Sequence, residues 1–300
     1  MKTIKIDNKT ARGLTITVGM PDEEYRAIPA LSAHGTHDLL TKPMHWARGG
    51  QEDTEAMKFG RAFHFMVLEC CSGTVFDENK FFEKFAVAPE VNARTKDGKA
   101  ALEEFKAECE KNGKEALKSQ DFDLLNAMRT RVFASKSAIT GLGKNDENTL
   151  YEAVLEWDYV KGDGTLVNCK GKADALIIDE KLGLVQIADL KTTLCADEAS
   201  FARSAINYGY GWQAAFYSSA FANTGLETSF YIVAVEKTLI ADLGFWDMQD
   251  FVEVETPNLF FALEHIDEIK EKAIAMREYK AYNDLPIAVP AWYKGTRVIF

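Results

Sequence analysis

Apolar residues recur at helical spacing through most of the first half of the chain. This pattern predicts helices over residues 31–40, 54–69, 98–118 and 121–139. Ser32 and Asp121 are expected to cap the first and the last of them, because a short polar side chain can accept the free backbone N–H groups of a helix end. Residues 1–145 are therefore predicted to be mainly helical.

The pattern changes near residue 149 to short runs rich in β-branched and apolar residues. Three consecutive strands, forming a meander, are predicted over residues 150–160, 165–178 and 184–190. Further helices are expected over residues 197–205, 208–223 and 257–279, and further strands over residues 229–235 and 239–246. Strands with helices on either side predict an α/β fold in which residues 146–300 carry the sheet and the C-terminal helices.

Composition places the chain among ordinary globular proteins. It has 300 residues, of which 47% are hydrophobic and 27% charged, so we expect one domain over residues 1–300. The first residues lack the basic-then-apolar order of a signal peptide, and no run approaches the ~20 apolar residues of a membrane span. Five cysteines without a CxxC pair suggest neither a disulfide framework nor a zinc site. These features predict a cytoplasmic protein with no membrane partner.

The net charge of −11 argues against a protein that coats nucleic acid through bulk positive charge. A DNA enzyme with this balance must concentrate its cations locally. It also needs divalent ions to offset the repulsion between phosphate and an acidic site.

Two acidic residues lie on neighbouring predicted strands, Asp174 on one and Asp189 on the next. Since side chains alternate along a strand, Asp189 and Lys191 share a face, whereas Leu190 points to the core. Carboxylates are ligands that Mg²⁺ prefers, and a neighbouring lysine can act on the attacking water and on transition-state charge. The residues therefore predict a site for metal-dependent phosphodiester hydrolysis.

An isolated Asp-x-Lys is usually a solvated pair on a strand. Here the flanking residues are apolar, and buried charges without a metal or partner are costly, which favours the functional interpretation.

Longer segments give a more specific signal than Asp-x-Lys. These segments are residues 25–46, 59–64 with 67–69, 88–90 with Asn92 and 94–95, 172–174, 189–193 and 213–217. In them the chain resembles the RecE-type exonucleases, in the RecB-like branch of the PD-(D/E)xK nuclease superfamily. Arg61 and a longer turn in the catalytic hairpin depart from the RecE pattern.

The resemblance implies a restriction-endonuclease-like core with a central mixed sheet and a helical N-terminal half. It also implies a Mg²⁺-dependent 5′-to-3′ exonuclease that acts on duplex DNA with a free end and leaves 3′ tails for recombination. Mn²⁺ is expected to substitute. A ring-shaped homo-oligomer and a RecT-like single-strand annealing partner are implied as well.

By the same resemblance, His64 and the backbone carbonyl of Leu190 would join Asp174 and Asp189 as metal ligands. Glu152 would be an additional catalytic acid, although an exposed strand glutamate is an equal alternative. Gln213 and Tyr217 match the family's Q-x-x-x-Y motif, in which two polar groups on one helical face position the DNA or the catalytic lysine.

DNA contacts are less defined. Arg61 and Arg94 are candidates for gripping a 5′ phosphate, but an arginine is more often solvated at the surface. Trp46 and Trp292 could stack on bases, although packing is the ordinary role of a tryptophan.

Two alternatives remain at this point. One is a structure-specific or Cas4-like endonuclease; the chain lacks the four-cysteine iron–sulfur pattern of the Cas4 type. The other is a non-catalytic DNA-binding descendant of the fold, which would leave the charged cluster without a role.

Overall fold

The computed structural model describes residues 1–10, 13–49 and 54–278. Within these residues the strands are β1 (Lys2–Ile6), β2 (Leu14–Val18), β3 (Cys71–Ser72), β4 (Val75–Phe76), β5 (Phe85–Val87), β6 (Glu115–Leu117), β7 (Leu150–Val160), β8 (Leu166–Asp179), β9 (Leu184–Thr193), β10 (Glu227–Glu236) and β11 (Leu243–Asp247). The helices are α1 (Asp22–Ala27), α2 (Ala33–Thr41), α3 (Pro43–Arg48), α4 (Glu55–His64), α5 (Glu78–Lys84), α6 (Lys96–Lys111), α7 (Ser119–Ala134), α8 (Lys136–Gly141), α9 (Glu198–Tyr208), α10 (Tyr210–Ser219), α11 (Gln249–Glu264) and α12 (Ile266–Glu278). A short π-helix (Phe65–Glu69) continues α4.

Seven of the strands in the described part of the chain form one mixed sheet, in the order β1-β2-β7-β8-β9-β10-β11. The predicted meander of β7, β8 and β9 is confirmed as antiparallel pairs. Aspartates shape both of its turns. Asp163 Oδ1 accepts the N–H of Thr165, and Asp179 Oδ1 accepts the N–H groups of Lys181 and Leu182.

β10 lies parallel to β9, and β11 returns antiparallel to β10. A parallel pair needs a long crossover connection, which α9 and α10 supply. These two helices therefore follow directly on the strand that carries Asp189 and Lys191.

Helices cover both faces of the sheet, so the sheet lies between two apolar cores. Ile187 packs in the core that includes α10 and α11, whereas Ala188 and Leu190 pack in the core that includes α4 and α7. Neighbouring residues of β9 thus alternate between the two cores, as a strand requires. This arrangement confirms the predicted α/β class with a central mixed sheet flanked by helices.

The first 18 residues contribute two strands to this sheet, which the sequence interpretation did not include. β2 pairs with β7, and Leu14 and Ile16 are fully buried. The alternation of apolar residues with Thr15 and Thr17 is a strand signal. The region before residue 145 is mainly helical, yet it also supplies one edge of the sheet.

Two of the helices predicted before residue 145 differ from the observed ones. The helix expected over residues 98–118 ends at Lys111, and β6 follows it. The helix expected over residues 121–139 is two helices, because Ser135 is extended and its side chain caps α8 by accepting the N–H of Ala138. Ser32 caps α2 as predicted, but Asp121 lies inside the first turn of α7, whose N-cap is Lys118.

The C-terminal helix does not begin at Pro257. It begins at Gln249 with Pro257 in its interior, and α12 follows a break at His265. A proline removes one intrahelical hydrogen bond. Burial of Leu259 and Leu263 in the same helix offsets this cost. The predicted end at Tyr279 lies outside the described residues.

We predict that Phe81→Ala destabilises the protein by about 3–5 kcal/mol, since the substitution opens a cavity in a packed aromatic cluster. Phe81 is fully buried, and its ring lies 5.1 Å from that of Phe85 and 5.7 Å from that of Phe122. Urea denaturation measures the free energy of unfolding. Leu182→Ala, at a side chain that is 70% exposed, is the control and should stay within about 0.5 kcal/mol. Equal losses in both variants would contradict the assigned core.

Candidate active site

The two strands that carry the predicted carboxylates separate at the site. Pairing between β8 and β9 extends as far as Ala175 opposite Ala188, and the next residues along each strand are Asp174 and Asp189. Asp174 spans the opening, because its Oδ2 accepts the backbone N–H of Leu190 at 2.7 Å. Both carboxylates are almost fully buried, with 8% of Asp174 and 3% of Asp189 exposed.

One cationic and one polar side chain contact the Asp189 carboxylate. Lys191 Nζ lies 2.5 Å from Asp189 Oδ2, and Gln213 Nε2 donates to Asp189 Oδ1 at 2.7 Å. Burial raises the pKa of Asp189, despite the Lys191 ammonium, which acts in the opposite direction. Burial disfavours the ammonium too, but the carboxylates of Asp189 and Asp174 outweigh it and raise the pKa of Lys191.

His64 and Glu152 approach Asp174 from the other side. His64 ends α4 where the π-helix begins, and its Nδ1 lies 3.5 Å from Asp174 Oδ2. π-Helical turns within α-helices are frequent at functional sites. Glu152, on β7, has a positive φ of 50° and lies between Tyr151 and Ala153, which pair with the two residues that flank Asp174. The strained backbone at Glu152 thus coincides with the predicted site.

These groups shift one another's pKa values. Burial disfavours the charged imidazolium of His64, but the Asp174 carboxylate outweighs it and raises the pKa of His64 to about 9. Burial alone would raise the pKa of Asp174, but the ion pair with His64 outweighs it and holds this pKa below its ordinary value. Burial, together with the charge of Asp174, raises the pKa of Glu152. The cluster therefore holds two mutually repelling carboxylates.

The donor set fits a divalent cation. One ligand atom from each of His64, Glu152 and Asp174 lies within 4.8 Å of the others, and the three come from separate elements. Carboxylate oxygens with an imidazole nitrogen are suitable ligands for such an ion, and its charge would relieve the repulsion between the acids. Asp189 stands outside this group and is engaged by Lys191 and Gln213, so its role as a ligand stays a prediction, as does that of the Leu190 carbonyl.

Gln213 and Tyr217 both lie beside the carboxylates, on α10. Whereas Gln213 contacts Asp189, the Tyr217 hydroxyl lies 3.2 Å from both the backbone N and the backbone O of Lys172, two residues before Asp174. The Tyr217 ring packs where Gly171 has no side chain. α10 therefore fixes β9 through one polar residue and β8 through the other.

Lys172 is a site residue to which the sequence interpretation gave no role. Its Nζ lies 2.7 Å from Glu152 Oε2 and donates to Asp22 Oδ1, on α1, at 2.6 Å. Lys172 thus holds Glu152 and ties α1 to the site. Asp22 and Lys172 are 150 residues apart, so the sequence offers no signal for this contact.

The candidate DNA-binding residues lie in varied surroundings. Arg61 Nη2 donates to Glu115 Oε2 at 2.6 Å, Arg94 is exposed in the loop before α6, and Trp46 packs at the edge of a core. Trp292 lies outside the described residues. Phosphate binding by either arginine stays a prediction, and at Arg61 a phosphate would compete with Glu115.

A family described as a PDDEXK-like domain of unknown function (DUF3799) matches residues 36–277. This chain belongs to that family. The matched range contains the whole cluster from His64 to Tyr217. Membership in the PDDEXK-like family supports nuclease chemistry at the cluster, and it is broader than the RecE branch indicated by the sequence resemblance.

A solved structure has the same fold as this PDDEXK-like chain. It is a Eubacterium rectale protein described as a "putative exonuclease", with a TM-score of 0.53 and 14% sequence identity over 91% of this chain and 97% of that one. At this identity the likeness shows a shared fold alone. The search of curated proteins finds no match. None of the described helices has the length and apolar character needed to cross a membrane.

We predict that Gly171→Ala destabilises the protein by roughly 1–3 kcal/mol, because a Cβ at this position would lie 2.9 Å from Tyr217 Cε1. Gly60→Ala is the matched control, since a Cβ there meets nothing within 4 Å beyond its chain neighbours and the nearby backbone of its own helix, and alanine favours the helix. Urea denaturation of both variants measures the effect. If Gly171→Ala is as stable as the wild-type protein, the tight packing of Tyr217 against β8 is wrong.

Proposed function

We propose that this protein is a divalent-metal-dependent DNA exonuclease. The observation that carries the proposal is the cluster at the point where β8 and β9 separate, which joins the buried Asp174 and Asp189 to the partly buried Lys191, His64 and Glu152. Burying several charged groups together costs stability. Such a cluster is therefore expected where it serves a function. Membership in the PDDEXK-like family supports phosphodiester hydrolysis as that function.

The residues of the cluster would have different roles. His64, Glu152 and Asp174 would hold the cation, for which we propose Mg²⁺ with Mn²⁺ as a substitute. When bound, such an ion polarises a phosphoryl oxygen and makes a nearby water more acidic. Lys191 would stabilise negative charge that develops on the scissile phosphate. Asp189, to which Gln213 donates, keeps the Lys191 ammonium in place.

The proposal also covers the DNA end that is attacked and the direction of degradation. The RecE resemblance supports 5′-to-3′ degradation of one strand from a free duplex end, which leaves 3′ single-stranded tails for recombination. A single-strand annealing protein would receive those tails. A ring-shaped homo-oligomer would gather the few cations of every subunit around the DNA, which suits a chain with a net charge of −11.

We expect Asp174→Asn and Asp189→Asn to retain roughly one per cent or less of the wild-type activity, because each change removes a charge from the reacting centre. The measurement is Mg²⁺-dependent release of nucleotides from end-labelled linear duplex, with thermal melting as a check of the fold. Asp163→Asn, in the exposed β7–β8 turn, is the matched control and should cleave normally. Full activity in either site variant would overturn the assigned site, and absence of cleavage by the wild-type protein would overturn the proposed activity.

We expect a closed homo-oligomer that requires a free DNA end, since enclosure would provide the processivity that an acidic subunit alone lacks. Light scattering gives the mass in solution. Cleavage rates on linear, nicked circular and closed circular duplex give the end requirement. A monomer that cuts closed circles as fast as linear DNA would instead support the structure-specific endonuclease.

A further inference from the structure

A row of four aromatic rings extends from β11 to the surface beside the candidate active site. The ring centroids of Trp246 and Phe201 lie 5.6 Å apart, those of Phe201 and Tyr210 lie 6.0 Å apart, and those of Tyr210 and Tyr208 lie 5.8 Å apart. Successive planes differ by 9°, 31° and 28°. The four rings form a row of neighbouring aromatic contacts that begins at the partly buried Trp246.

The other end of the row is open to solvent. Phe201 is 3% exposed, whereas Tyr208, the outermost ring, is 68% exposed. A single exposed aromatic side chain is ordinary on a protein surface. Tyr208 differs because its ring contacts that of Tyr210, so a further flat ring placed on Tyr208 would extend an existing row of aromatic contacts.

This open end adjoins the residues of the proposed chemistry. The Lys191 ammonium lies over the Tyr210 ring, 5.1 Å from its centroid, and the same ammonium contacts Asp189. Tyr208 is the next ring outward from Tyr210. A group bound on Tyr208 would therefore lie close to a phosphate that Lys191 contacts.

The corner that carries the two tyrosines is fixed by Gly209. This residue ends α9 in the left-handed conformation, with φ of 69°, and α10 begins directly after it. A Cβ at Gly209 would lie 2.6 Å from the His37 imidazole, so the backbone rests directly on a buried ring. The backbone between the two tyrosines is thus held in place without a ligand, which lowers the entropic cost of binding.

We propose that Tyr208 and Tyr210 form a stacking platform for an unpaired nucleobase of the strand that is cleaved. The inference rests on the proposed nuclease function and adds its substrate class, a DNA end with a frayed or single-stranded terminus. Every base offers a π-face, whereas a base inside a duplex is already stacked on its neighbours. The platform therefore selects unpaired ends without reading their sequence.

The test uses DNA duplexes with a short single-stranded overhang that carries 2-aminopurine, a base whose fluorescence falls when it stacks. Binding is measured in an Asp189→Asn background with Mg²⁺, so that the probe stays intact. We expect Tyr208→Ala to abolish the fluorescence change and to weaken binding roughly 5- to 150-fold, the range for loss of one base–aromatic stack. Tyr208→Phe retains the ring and should behave like its parent.

Leu182→Ala is the second control. Its side chain is 70% exposed in the β8–β9 turn, and Leu184, just after it, lies roughly 23 Å along β9 from Lys191. Unchanged binding and fluorescence in Tyr208→Ala would overturn the platform, and so would equal losses in Tyr208→Phe or Leu182→Ala. Because stacking is read by fluorescence without cleavage, it is judged separately from activity. If the wild-type protein cleaves DNA but no stacking signal is seen, only the platform is contradicted. If the wild-type protein does not cleave DNA, the proposed function is contradicted.

Discussion

Burial of neighbouring carboxylates is the constraint on which the rest of this structure depends. Asp174 and Asp189 lie close together with little access to water, and Glu152 is partly buried beside Asp174. An unpaired ion in the interior costs several kcal/mol. Each acid therefore has its own compensating group. The pairs are Asp174 with His64, Asp189 with Lys191, and Glu152 with Lys172. Since these partners come from α4, β9 and β8, the site exists only when those elements are assembled.

The two helices that follow β9 hold the strands and side chains of the site in place. α10 binds β9 through Gln213 and β8 through Tyr217, so it spans the opening between the strands. The corner before α10 places Tyr210 over the Lys191 ammonium. The crossover that the parallel pairing of β9 and β10 requires thus also supports the catalytic side chains.

The sequence predicted the parts of the site that depend on local pattern. Alternation along β9 placed Asp189 and Lys191 on one face with Leu190 in the core, and turn residues marked the hairpin to β8. Contacts between distant segments could not be predicted in this way. The ion pair of Lys172 with Asp22 and that of Arg61 with Glu115 join residues that only the tertiary fold brings together.

Errors in the predicted helices and strands also arise from tertiary packing and local backbone geometry. Apolar spacing predicted a helix that starts at Pro257, yet α11 begins at Gln249 and its packing tolerates the proline in the helix interior. The apolar spacing across Ser135 continues smoothly, whereas the backbone breaks there to cap α8. Leu14 and Ile16 are fully buried in β2, and their alternation with Thr15 and Thr17 is a strand signal that the sequence interpretation did not use.

The central claim is that Asp174, Glu152 and His64 form a binding site for a divalent cation. Calorimetric titration of Mn²⁺ into the wild-type protein, Asp174→Asn and Lys191→Met tests it most directly, because it measures binding without DNA or turnover. We expect saturable binding by the wild-type protein, loss of that binding in Asp174→Asn, and its retention in Lys191→Met. Binding by Asp174→Asn with wild-type affinity and stoichiometry would contradict the account.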